Sequence, residues 1–133
     1  MPGIIMGFDF GTSKIGVAVG QHVTGTATAV GIVRSRDGIP DWSQLDKLVS
    51  EWEPDIFVVG LPLNMDGSES EMSARALKFA RRLEGRYHKP AKTMDERLTT
   101  REASAYAEDG EPVDDIAARL ILESWLRESP RQT

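Results

Sequence analysis

The chain has 133 residues, 40% of them apolar and 28% charged, and a net charge of −5, a composition and length that suit one domain (residues 1–133) around one ordinary core. It contains no Cys and only His22 and His88, which excludes disulfides, thiol nucleophiles, thiolate zinc and iron–sulfur sites, and leaves oxygen ligands of the kind Mg2+ or Mn2+ prefer. No apolar run approaches the ~20 residues that span a bilayer, and Met1-Pro2-Gly3-Ile4 lacks the basic start of a secretory signal, so a cytoplasmic protein with no membrane contact is expected.

Ile4-Ile5-Met6-Gly7-Phe8-Asp9-Phe10 is a short apolar run closed by Gly11, the pattern of a buried central strand. Strands are predicted next over 15–20 and 26–33, close enough together to form an antiparallel meander with the first. A helix is predicted from Asp41 to Trp52, with Leu45, Leu48, Val49 and Trp52 on one face and Pro54 to stop it. Ile56–Val59 reads as a second buried strand, followed by a loop over 60–68. Ser68 and Glu71 have capping-box spacing, which predicts a helix from there to about Arg86. Its apolar face is Met72, Ala76, Phe79, Ala80 and Leu83, and its remaining faces carry Arg75, Lys78, Arg81, Arg82 and Arg86. A short strand over 92–94, a helix opened by Thr99 and Glu102, a turn over 109–112 and a last helix from Asp114 to Leu126 complete the chain. The order βββαβαβαα implies an α/β fold: a mixed sheet of about five strands, an antiparallel meander followed by βαβ units, with helices on both faces.

The charge is unevenly spread. Residues 75–101 carry nine basic and three acidic side chains, net +6, against −11 for the remainder. Such asymmetry makes a basic face on an acidic body, either a nucleic-acid surface or a solvated helix face.

Three acidic positions stand out. Asp9 lies within an apolar strand, where a carboxylate is costly unless it is paired, metal-bound or at the strand end capping a turn. Thr12 and Lys14 follow, offering a hydroxyl, backbone amides and a cation; Lys14 either contacts phosphate or is merely solvated. Asp95-Glu96-Arg97 follows a short strand, at the kind of strand end where ligands gather in α/β sheets. It reads equally as a helix-start acid pair with Arg97 in a surface ion pair. Asp114-Asp115 begins the last helix, where acids offset the helix dipole. At ~100° per residue, Asp114 shares a face with Val113, Ala117, Ala118, Ile121 and Trp125, whereas Asp115 falls toward Arg119. Asp114 is therefore the inward member. Inward carboxylates, no Cys and a basic flank suit metal-assisted phosphodiester hydrolysis.

Phe8-Asp9-Phe10-Gly11-Thr12 alone occurs in two superfamilies, the actin and sugar-kinase ATPases and the ribonuclease H-like nucleases. The ATPases close two such domains over nucleotide, and 133 residues supply only one. Together with Ile15-Gly16-Val17-Ala18, Gly60-Leu61-Pro62-Leu63-Asn64-Met65-Asp66-Gly67, Asp95-Glu96-Arg97-Leu98-Thr99-Thr100 and Val113-Asp114, the chain closely resembles the bacterial YqgF/RuvX family over nearly its whole length.

The resemblance implies a ribonuclease H-like fold related to Holliday junction resolvases. It also implies a nuclease that matures the 5′ end of precursor 16S rRNA during ribosome biogenesis, with Asp9, Glu96 and Asp114 as the catalytic, metal-holding set for Mg2+ or Mn2+. RNA is the expected partner, with ribosomal particles behind it and a monomer or weak homodimer as the form. Alternatives are a DNA junction-resolving endonuclease with the same site and a non-catalytic ribosome-assembly or RNA-binding factor. Candidate substrate contacts are Thr12, Lys14, Asn64, Arg75, Lys78, Arg82, Arg86 and Arg97. Asn64 serves turn formation equally well, and Arg97 could instead buttress Glu96. One departure is the loop Glu108-Asp109-Gly110-Glu111-Pro112, short and acidic where related sequences carry a longer basic, glycine-rich one. It is expected to weaken the grip on substrate on that side.

Overall fold

The computed structural model describes residues 3–61, 66, 68, 70–95 and 114–128, without the side chains of 95, 114–116 and 128. Six strands form one sheet: β1 (Ile5–Asp9), β2 (Lys14–Gln21), β3 (Thr26–Arg36), β4 (Ile39–Pro40), β5 (Ile56–Leu61) and β6 (Ala91–Asp95), in the order β4-β3-β2-β1-β5-β6. Three helices accompany them: α1 (Trp42–Trp52), α2 (Glu71–Tyr87) and α3 (Asp114–Glu128). Strands β1 to β4 pair antiparallel, while β1–β5 and β5–β6 are parallel. The expected meander and βαβ half are therefore present. The helix predicted to open at Thr99, and the loop over 108–112, lie outside the described residues.

The strand count of about five is corrected to six. The added strand comes from a tight hairpin, in which Ser35 pairs with Pro40 and Arg36 with Ile39 across Asp37-Gly38. Asp37 and Gly38 have φ of 51° and 85°, the left-handed pair a two-residue type I′ turn requires. The Asp-Gly signal stands in the sequence, but a two-residue strand ending in Pro40 leaves no periodicity to read. The start of α2 is also corrected. Its capping box is Ser70 with Ser73, each side chain accepting from the other's backbone N–H at 3.0 and 2.7 Å. Ser68 instead donates from its amide and hydroxyl to Asp66, an Asx turn that occupies it before the helix begins.

Alternation along the strands builds two apolar layers. On one face, Met6 and Phe8 of β1, Ile15, Val17 and Val19 of β2, Val33 of β3, and Phe57 and Val59 of β5 pack under Leu45 of α1 and Ala76, Phe79, Ala80 and Leu83 of α2. The apolar face predicted for α2 is thus the buried one. Phe8 meets Phe79 edge-on at 5.3 Å between centroids. On the other face, Ile5, Ala18, Ala27 and Val58 pack under Ala118, Ile121, Leu122 and Leu126 of α3. The helix lies close to the sheet because β1 and β2 present glycines to it. A β-carbon added to Gly7 would stand 2.9 Å from Cβ of Leu122, and one on Gly20 3.2 Å from Cδ1 of Leu126.

The helices α1 and α2 are tied by one polar cluster. The Arg86 guanidinium donates to both carboxylate oxygens of Asp46 at 3.0 and 2.7 Å, the Tyr87 hydroxyl donates to the same carboxylate at 2.6 Å, and Arg86 stacks on Trp42 at 4.6 Å. The hydrogen bonds from Arg86 and then Tyr87 hold the Asp46 carboxyl down at about 2.

Two expectations follow. Gly7→Ala forces Leu122 and α3 away from the sheet and should cost about 1–3 kcal/mol, read as a lower urea midpoint with an unchanged m-value. For Asp46, a lowered folded-state pKa means stability that is present above the unfolded value of 3.8 and lost as pH falls toward about 2. Wild type should therefore exceed Asp46→Asn in stability at neutral pH, by a small margin because the pair is solvent-screened. Urea titrations should show the margin vanish on acidification through that window.

Candidate active site

Five strand ends meet at one edge of the sheet. Parallel pairing brings the C-terminal ends of β1, β5 and β6 together, with Leu61 in register with Asp95. Antiparallel pairing adds the start of β2 and the end of β3, with Lys14 opposite Arg34. Asp9 is the last residue of β1 and is half-buried there, while the four residues before it are fully buried. Asp9 is a strand-end residue: it sits where the strand emerges from between its two covering layers.

Alternation also decides which way Asp9 points. Met6 and Phe8 face α1 and α2; Ile5 and, by alternation, Gly7 and Asp9 face α3. The helix then determines what joins Asp9. Leu122 lies over Gly7 and Leu126 over Gly20, which pairs with Ile5, so α3 runs antiparallel to β1 with its N-terminus toward Asp9. From Leu122 back to Asp114 is eight residues, ~12 Å of helix, whereas Gly7 to Asp9 is ~7 Å of strand. The first turn of α3 therefore overhangs the Asp9 edge. The backbone position of Asp114 is one turn ahead of the buried Ala118, on the stripe that faces the sheet. Asp95 closes β6 at the same edge; Glu96, Arg97 and Asn64 lie outside the described residues. Arg119, the expected exposed partner of Asp115, is half-buried.

Phe10–Ser13 turns the chain from β1 into β2. The turn is held by the amide of Ser35 donating to the carbonyl of Ser13 at 2.9 Å and that of Gly38 to the carbonyl of Thr12 at 3.4 Å. A β-carbon on Gly11 would collide with the carbonyl oxygen of Lys14, so this turn closes only around glycine. Thr12 lines a cleft of about 390 Å³ with Ser70, Glu71, Met72 and Arg75, and Arg75 pairs with Glu71 at 3.4 Å.

The other cations of α2 are placed differently. They belong to the layer on the sheet face opposite the one Asp9 points to. Arg75 to Arg86 spans ~16 Å of helix leading away from the carboxylate edge. Lys78 and Arg82 are exposed along it. Arg86, at the far end, is committed to Asp46, Tyr87 and Trp42. The structure thus brings Thr12, Lys14 and Arg75 to the Asp9 edge and does not bring Lys78, Arg82 and Arg86 there. The sequence reading overlooked the β3–β4 hairpin at this edge, for which Asp37-Gly38 was the available signal.

The donor chemistry fits a hard divalent cation. Asp9 offers carboxylate oxygens at a partly open strand end, α3 begins with two further acids beside it, and the chain has no sulfur thiolate to compete. Among the described residues no group of three ligating side chains is assembled, because of the expected set only the Asp9 side chain is described.

An α/β sheet of this order, with a carboxylate at the end of its central strand and a helix N-terminus over it, is the ribonuclease H-like fold, and the comparisons with known proteins make the chain a nuclease of that class. The chain belongs to the RuvX family: the family model described as a Holliday junction resolvase matches residues 3–128. The chain is 55% identical to a protein of Azotobacter vinelandii named "Putative pre-16S rRNA nuclease", covering 97% of this chain and 96% of that one. It is 54% identical to a protein of the same name from Pseudomonas putida, covering 92% and 94%. Among solved structures, the fold is shared with Thermus thermophilus RuvC in complex with a Holliday junction substrate, at TM-score 0.58, 13% identity and 93% coverage of each chain. It is shared also with the fowlpox virus Holliday junction resolvase, at TM-score 0.55, 16% identity and coverage of 93% and 98%.

Gly11→Ala tests the turn. It should open the Asp9–Lys14 connection at a cost of about 1–3 kcal/mol and lower nuclease activity beyond what the lost stability explains, as checked by urea unfolding and cleavage rate on the same preparation.

Proposed function

We propose that this chain is a metal-dependent endonuclease that processes the 5′ end of precursor 16S rRNA in the cytoplasm. Membership of the RuvX family makes it a phosphodiester-cleaving hydrolase. The observation that supports the reading is the convergence of Asp9 and the N-terminus of α3 on one face and one edge of the sheet, the edge at which β6 ends with Asp95. In this reading Asp9, Glu96 and Asp114 hold Mg2+ or Mn2+, which when bound activates water and stabilises the leaving oxygen. Asp9 would fix the ion against the rigid sheet, with Thr12 and Lys14 following it in the chain to meet the substrate backbone. The precursor rRNA substrate is favoured by the names of relatives above 50% identity over nearly full length. The family description favours a second reading, resolution of DNA junctions. That activity acts on a symmetric substrate and calls for two sites in a dimer.

Cleavage of a precursor 16S 5′ leader with and without Mg2+ or Mn2+ tests the proposal. Wild type should cut only with metal, and Asp9→Asn should lower the rate about 10²-fold or more with an unchanged urea midpoint. Absence of cutting on both free RNA and ribosomal particles, with cutting of a four-way DNA junction by a dimer, would move the assignment to the second reading. Absence of cutting on all three would leave a binding factor.

A further inference from the structure

The corner of the sheet beyond α3 carries cations that the catalytic set does not use. Pairing runs Asp9 to Gly16 to Ile32 across β1, β2 and β3, and one step outward Lys14 pairs with Arg34. Paired residues share a face, and Arg36 follows Arg34 by two, so Asp9, Lys14, Arg34 and Arg36 all lie on the α3 face at one edge. At ~4.8 Å between strands and ~3.4 Å per residue, the backbone of Arg34 is ~12 Å from that of Asp9, and Arg36 is a few ångströms farther. A nucleic-acid strand with a phosphate at Asp9 reaches both within a few nucleotides.

Three features mark this corner as a binding surface. First, α3 leaves it open: Arg34 and Arg36 are exposed, and Ile32 and Ile39 beside them are 46% and 48% exposed. Second, like charges directly opposite in a ladder are unfavourable, and Lys14 faces Arg34 with Arg36 following. Among the described residues neither guanidinium forms an ion pair. Asp41 accepts from the Ser43 hydroxyl and the amides of Ser43 and Gln44 as the cap of α1, and the charge of Arg34 helps to hold its carboxyl low without forming an ion pair. Third, the hairpin walls an open cleft of about 480 Å³ lined by Arg34, Ser35, Arg36, Ile39, Pro40 and Asp41, two cations to one acid. Exposed aliphatic side chains between guanidinium groups suit a ribose–phosphate chain: phosphates on Arg34 and Arg36, sugar or base on Ile39. A second copy of this chain is disfavoured as occupant, since a symmetric contact would bring the same arginines together.

We infer that the β3–β4 hairpin, through Arg34, Arg36 and Ile39, is the track that carries the RNA strand to Asp9, in place of the cationic stripe of α2. The inference rests on the nuclease reading above and names the path of its substrate.

The test compares wild type, Arg34→Gln/Arg36→Gln and Lys78→Gln/Arg82→Gln for binding of a precursor 16S leader RNA. Binding is measured without divalent metal, across a salt series, and cleavage with Mg2+ or Mn2+ is then measured on each. All four positions are exposed, so each variant should unfold at the wild-type urea midpoint. The hairpin variant should bind about tenfold more weakly at 0.1 M salt, with the slope of log K against log salt shallower by about 1.4, two phosphate contacts at ~0.7 each. The α2 variant should stay within about twofold of wild type. Wild type that binds and cuts, with a hairpin variant of equal affinity and slope, overturns the track and leaves the nuclease assignment standing. Equal losses in both variants also overturn it, by showing diffuse attraction. A hairpin variant that changes sedimentation but not RNA affinity gives the surface to a second copy and overturns it as well. Wild type that neither binds nor cuts RNA removes the precursor-rRNA reading on which the track rests, and the track with it.

Discussion

Strand β1 is covered on both faces, and everything at the candidate site follows from that burial. A carboxylate inside such a strand would face desolvation worth several kcal/mol without relief. Only at the last residue, where the two layers part, can a side chain belong to a rigid buried strand and still meet solvent and a cation. Asp9 holds that position, and the four residues before it are fully buried. A ligand fixed in this way moves only as far as the centre of the sheet moves. Such rigidity is what a site needs when its ions must be held to within fractions of an ångström.

The same strand sets where α3 goes. Gly7 on β1 and Gly20 on β2 leave no side chain between sheet and helix, so Leu122 and Leu126 seat directly on backbone. That contact fixes both the direction of α3 and its axial position, and with them the place of its first turn. Two acids at a helix N-terminus are ordinary in themselves. The glycine contacts put that N-terminus over the edge at which Asp9 emerges, which is the placement the role proposed for Asp114 requires.

Electrostatics divides along the sheet rather than along the sequence. The basic residues of α2 are continuous in the chain, yet the helix carries them from the carboxylate edge at Arg75 to its far end, where Arg86 becomes part of the joint between α1 and α2. Arg34 and Arg36 lie far from that segment in the chain but share the face of Asp9. Of the α2 cations, Arg86 thus turns structural and Lys78 and Arg82 stay exposed away from the carboxylate edge.

Much of the architecture was legible in the residues alone. The buried runs at Ile4–Phe10 and Ile56–Val59, the amphipathic face of Met72, Ala76, Phe79, Ala80 and Leu83, and the inward stripe of the last helix are periodic signals that local geometry imposes and tertiary packing then uses. For the site, the resemblance implies Asp9, Glu96 and Asp114, and helical periodicity by itself favours Asp114 over Asp115 as the inward acid; of these the structure places the Asp9 side chain at the sheet edge. A two-residue strand carries no period, so β4 did not show, although Asp37-Gly38 announced its turn. Ser70 rather than Ser68 caps α2, because the competing Asx turn at Asp66 depends on a conformation that spacing does not encode. What the sequence determined by itself was which residues are buried and which elements they form, since burial periodicity is a property of each segment. Only the tertiary structure decided which cations stand beside Asp9, because strand register and the antiparallel run of α3 across β1 are pairings between segments distant in the chain.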